Sequence, residues 1–163
     1  TGVLRGVTGL ATGDLARSEA RFWPVASAAS KVLFLAAWSA LVLATRRGWL
    51  AFTPARAGLA TFVAFNVFYG ALSAQYLLWV VPLAVRWPGR ALVSHAAAAT
   101  AGLVGFYLFL APGVLRPEPL AGASALWAGR LWVVGTGATL VVSVAWLAGL
   151  LREGRAAAGE ATT

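Results

Sequence analysis

The feature that most constrains this chain is where its charges are missing. Between Arg56 and Arg86 lie 29 residues without a formal charge, and between Arg90 and Arg116 lie 25 more, of which only His95 is ionisable near neutral pH. A third uncharged stretch runs from Leu131 to Leu151 with Arg130 and Arg152 at its edges. A helix crossing roughly 30 Å of hydrocarbon at 1.5 Å per residue needs about 20 mostly apolar residues, so each stretch is long enough to span a bilayer. A further segment, 25–45, carries Lys31 within two turns of its start, where the ammonium can reach the interface while its stem stays apolar. The expectation is an all-α polytopic membrane protein with four transmembrane helices, at about 25–45, 58–84, 91–111 and 130–151. Residues 1–24 then form an interfacial or loop segment, 25–151 the membrane domain and 152–163 a flexible polar tail.

Composition agrees: 60% of the 163 residues are hydrophobic, only 11% are charged, and mean hydropathy is +0.79. Soluble domains run nearer 45 to 50% and about 25%. Barrel strands are excluded because FLAAWSALVLAT and LWVVGTGATLVVSVAWLAGL are apolar on every face instead of alternating. Phe22, Trp23, Trp49, Trp87 and Trp127 fall at span edges, the headgroup depth that aromatic residues favour. The run from Pro112 through Pro117 and Pro119 to Gly122 reads as the longest internal loop, because each proline removes a backbone donor. The chain lacks cysteine, which excludes disulfides, thiolate metal sites and cysteine nucleophiles. It also lacks methionine, the initiator included. Either Thr1 follows a processing step or the chain is the downstream part of a longer reading frame, and the second is the expectation.

Four spans place both termini on one side. Arg5, Arg17, Arg21, Arg86, Arg90, Arg152 and Arg155 then share that face, against Arg46, Arg47, Arg56, Arg116 and Arg130 opposite, a small excess that points the termini to the cytoplasm of a cell membrane. The net charge of +8 is spread over short loops, which fits contact with anionic lipid and leaves no basic domain to grip nucleic acid.

Familiar chemical patterns are missing: no GxGxxG, P-loop, HExxH or GxSxG occurs, and neither a metal site nor a cofactor is expected. His95, with no carboxylate close by in sequence, reads as structural or interfacial. The small residues of HAAAATAG after it allow backbones to approach closely. The informative stretch is FVAFNVFYGALSAQYLLWVVPLAV, residues 62–85. Asn66, Ser73, Gln75 and Tyr76 carry donors and acceptors that cannot face lipid without cost, so they should point to neighbouring helices, a cavity or a polar ligand. Trp79 lies four residues beyond Gln75 on the same helical side, and Pro82 should kink or end the helix.

LSAQYLLWVVPLAV resembles the S-P/A-Q-Y-L-x-W-x-x-P signature near the end of multi-span, polyprenyl-phosphate-sugar-dependent glycosyltransferases of the GT-C type, including their mannosyltransferase-like branch. The matching residues are Ser73, Gln75, Tyr76, Trp79 and Pro82, with Ala74 where many members have proline. The preceding KVLFLAAWSALVLATRR resembles the span before the motif, so the likeness covers about 25–87. It implies a polyprenyl-phosphate sugar donor, a membrane-proximal acceptor, and inverting transfer with an acidic base in an early extracytoplasmic loop. None of Asp14, Glu19, Glu118, Glu153 or Glu160 matches that base. The chain would then be the carboxyl-terminal part of the enzyme and form its cavity wall, with no catalytic residue of its own. Asn66, Ser73, Gln75, Tyr76, Trp79 and Arg86 are the candidate substrate-binding residues, Arg86 and its neighbour Arg90 offering charge to the donor phosphate. The partners are membrane lipid, the donor, and the missing amino-terminal part or another membrane subunit. The alternative is a noncatalytic four-helix subunit or assembly factor packed against a partner. A transporter fits less well, because the spans lack paired carboxylates and show no repeat between halves.

Overall fold

The computed structural model describes residues 15–69, 78–109 and 122–161. Among them are five helices, α1 (Leu15–Arg46), α2 (Pro54–Phe68), α3 (Val80–Ala84), α4 (Arg90–Phe109) and α5 (Gly122–Glu160), and no strand. The fold is all-α, as expected, but three helices and not four are long and apolar enough to cross a membrane: α1 from Pro24, α4 and α5. Two of them outrun the boundaries read from charge. Helix α5 begins eight residues before Arg130, and continues through the polar residues 152–160.

Local chemistry sets the ends of α1 and α2. At the end of α1, Gly48 takes φ 74°, Gly48 N–H donates to Thr45 O at 3.1 Å, and Trp49 N–H reaches back to Ala44 O at 2.9 Å. This paired closure satisfies two terminal carbonyls, and the left-handed residue at its centre favours glycine. Five residues on, Thr53 caps α2 by accepting the Arg56 N–H at 3.4 Å, and Pro54 occupies the first helical position, where its missing donor costs nothing.

The expected span 58–84 is not one helix. Helix α2 stops at Phe68 because Tyr69 turns to extended backbone, φ −85° and ψ 103°. Its 15 residues cover roughly 22 Å at 1.5 Å rise, short of a crossing. The chain then comes back. Val80 and Ala84 of α3 are completely buried beside Leu59, Ala60 and Val63 of α2 and Leu147 of α5. Three residues beyond the end of α3, the Trp87 ring lies 5.9 Å from the Arg56 guanidinium carbon. Arg56 in turn pairs with Glu153 at 3.0 Å. The two ends of the segment 54–87 therefore lie at the same end of the bundle, the arrangement expected of a re-entrant hairpin and not of a single crossing. Charge-free length measures how much chain hydrocarbon tolerates and not its direction, so 29 residues serve a there-and-back path as well as a single crossing.

This path regroups the charges. Ala51 N–H donates to Gly154 O at 2.9 Å and the Phe52 ring packs on Gly154, which sets the end of α1 at the level of residue 154. Arg46, Arg47, Arg56, Arg86, Arg90, Arg152 and Arg155 thus gather at one end, and the start of α1 lies at the end opposite that of Arg155. The same-side placement of the termini, which followed from four spans, does not follow from three.

Helices α4 and α5 form the tightest contact, running antiparallel. Gly105 packs against the backbone of Trp132, and Gly135 against that of Gly102, so closely that a Cβ at Gly105 or at Gly135 would overlap main chain. Phe109 covers Gly129, and a Cβ there would stand 3.3 Å from its ring. Backbone approach of this kind is how membrane helices associate when lipid offers no hydrophobic drive between them. Outward side chains such as Val32, Val93, Val134 and Val141 are more than 60% exposed and apolar, the surface a bilayer covers.

Candidate functional site

Three of the six candidate residues, Ser73, Gln75 and Tyr76, lie outside the described residues; Asn66, Trp79 and Arg86 lie within them. Asn66 sits in the last turn of α2 and is 8% exposed. Its side-chain oxygen and nitrogen are buried and meet no hydrogen-bond partner among the described residues. An unpaired buried amide costs about 1 to 3 kcal/mol, so this position calls for a partner from ligand or chain. Neighbouring rings hold the helix end: Phe65 stacks on Tyr69 with centroids 4.6 Å apart, and Phe34 of α1 meets Phe65 edge-on at 5.2 Å.

Depth follows from helix register. Arg56 faces Glu153, and α2 and α5 run in opposite directions, so ten residues along each puts Asn66 at the level of Ser143, roughly 15 Å inside. At that level α4 and α5 exchange a polar side-chain contact. His95, fully buried, stands with Nδ1 3.1 Å from Ser143 Oγ, and which atom donates follows the ring tautomer. Trp146 meets the imidazole edge-on at 5.7 Å. Asn66, His95 and Ser143 therefore form a polar layer near mid-depth, in a bundle whose other buried hydroxyls are mostly satisfied within their own helices. Thr139 donates to Gly135 O at 2.8 Å, and Thr136 to Trp132 O at 2.7 Å.

Trp79 and Arg86 belong to a different level. Trp79 precedes α3 and is 54% exposed. Arg86 is exposed beside Trp87, at the end where Arg56 pairs with Glu153. Asn66 and Arg86 thus lie at different depths, and neither lines the cavity beside Trp87 and Arg90. Pro82 lies inside α3, and the helix ends two residues later at Ala84. The larger interruption falls upstream, at Tyr69, where Gly70 is the sequence signal.

Between the hairpin and the α4/α5 pair is a cavity of about 600 Å³. Its rim carries Arg56, Arg90, Glu153 and Trp87, and its wall carries Leu59, Leu92, Val141, Val142 and Ala145, with Trp146 beside the His95 pair. This cleft is not legible in the sequence, because its two halves come from segments about 50 residues apart. No group of three or more histidines and acids that could hold a metal ion occurs among the described residues. No family model, curated protein or solved structure matches the chain; its described residues form an all-helical fold with three helices long and apolar enough to cross a membrane, the character of a multi-pass membrane protein.

Proposed function

We propose that the chain forms a wall of a membrane glycosyltransferase that moves a sugar from a polyprenyl-phosphate donor to a membrane-proximal acceptor, its catalytic base supplied by another part of the protein. The observation that carries this reading is Asn66. A buried, unpaired amide sits in the last turn of the helix that precedes Ser73, Gln75 and Tyr76 in the sequence, and the helices on either side of that motif, α2 and α3, share one apolar core. A polar group at membrane depth is costly unless protein, water or ligand pairs it, so the buried Asn66 amide supports a ligand-facing role for this stretch. In this reading Asn66, Ser73, Gln75 and Tyr76 hydrogen-bond the donor at depth, Trp79 packs on it, and Arg86 meets its phosphate near the surface.

The test uses the full-length protein. Replacing Gln75 by alanine or Tyr76 by phenylalanine should lower sugar transfer by about tenfold or more, the scale of one lost hydrogen bond to a charged or developing group, with membrane insertion unchanged. Unaltered turnover in both variants would remove these residues from the site. A second reading, a noncatalytic subunit or assembly factor, draws on α1. Only 6% of its most apolar window is buried, so a large face is open to a partner helix as well as to lipid. That reading expects stable co-purification with a partner and no transfer by the complex.

A further inference from the structure

The cavity between the hairpin and the α4/α5 pair has the shape and charge of a lipid seat. Its mouth is at the end of the bundle where seven arginines gather, and its walls descend along Val141, Val142 and Ala145, with Val141 69% exposed toward lipid. A water-soluble ligand has no use for that wall, whereas a hydrocarbon chain does. At the rim, Arg56 is held by Glu153 at 3.0 Å while Arg90 is exposed. Among the residues that line the cleft, two guanidiniums and one carboxylate leave one net positive charge, which matches a phosphodiester better than a dianionic phosphate. Trp87 stands beside them at headgroup depth.

We propose that this cleft binds a lipid phosphodiester, the phosphate at Arg90 and Arg56 and the first part of its chain along Val141, Val142 and Ala145. Two lipids supply that chemistry, an anionic glycerophospholipid of the bilayer and a glycosyl-phosphate polyprenol, and the binding measurement separates them. The seat is independent of any sugar transfer, since occupancy is read without turnover.

The full chain is purified in nanodiscs containing phosphatidylglycerol, released into detergent, and its retained lipid is weighed by native mass spectrometry. Wild type should keep one phosphatidylglycerol or, when a glycosyl-phosphate polyprenol is added at equal concentration, exchange it for that lipid; whichever stays names the source. Arg90→Gln should lower retention about fivefold, the equivalent of one arginine at an anionic surface. Glu153→Gln, which frees Arg56 and raises the rim charge, should increase it by about the same factor. Arg130→Gln, at the far end of the bundle, should leave it unchanged and serves as the folding control. Retention of neither lipid, equal retention by wild type and Arg90→Gln, an equal loss in Arg130→Gln, or displacement by inorganic phosphate alone would each overturn the proposal.

Discussion

Gly135→Leu should separate α4 from α5 and lower the stability of the folded chain by about 3 kcal/mol, at the upper end of what overpacking costs. The size follows from what the new side chain would meet. A Cβ at Gly135 would run into the backbone nitrogen and Cα of Gly102, and main chain cannot swing away as a side chain can. Relief requires the helices to part along their length, and the polar and aromatic contacts between them go as well: His95 with Ser143 at 3.1 Å and Phe109 with Trp132 at 6.2 Å. Gly105→Leu should behave alike, because its Cβ would meet Trp132 backbone. Gly149→Leu provides the contrast, since nothing lies within 4 Å of a Cβ there. Thermal melting in detergent, followed by circular dichroism, should show large downward shifts for the first two and little for the third. A Gly135→Leu protein that melts with wild type would mean the helices do not cross where described.

The second large effect is expected at His95. Replacement by alanine removes one of the largest fully buried side chains, takes the edge-on partner from Trp146 and leaves Ser143 Oγ without its cross-helix contact. The cavity contributes most, and together these should cost about 2 to 4 kcal/mol. Ser143→Ala alone should cost about 1 kcal/mol, and the double variant should cost less than the two added, with a coupling of about 0.6 to 1 kcal/mol as for hydrogen bonds between membrane helices. Strict additivity would show that imidazole and hydroxyl do not interact.

These sites mark how much of the molecule the sequence discloses. All-α membrane character was legible because helix length and uncharged length are the same quantity seen twice. HAAAATAG was legible as a close-packing face, and Gly102 of that stretch meets Gly135; the facing residue was not, because small-residue spacing describes one helix and crossing requires a register between two. His95 stood out as a lone ionisable group, but its partner is 48 residues away and nothing local points to Ser143. The count of spans failed at 58–84 for a physical reason. A charge-free run tolerates a turn wherever the freed backbone groups are met by neighbours, and hydropathy carries no record of those neighbours. Asn66 was legible as a polar group in the wrong solvent, and the structure places it buried and unpaired among the described residues. The cleft at Arg56, Arg90 and Glu153 was not legible, since it exists only once the hairpin returns to α5.

The topology of the bundle depends on that return. Because the chain contains no cysteine, a single introduced thiol reports its own position without background. Ala55→Cys, Gly89→Cys and Ser124→Cys, at three exposed positions, are prepared separately, and sealed vesicles of one orientation are treated with a membrane-impermeant maleimide. A re-entrant hairpin between α1 and α4 predicts that Cys at 55 and at 89 react from the same side and Cys at 124 from the other. Labelling of 55 together with 124, and of 89 from the opposite side, would mean that the segment crosses the membrane and would contradict the account.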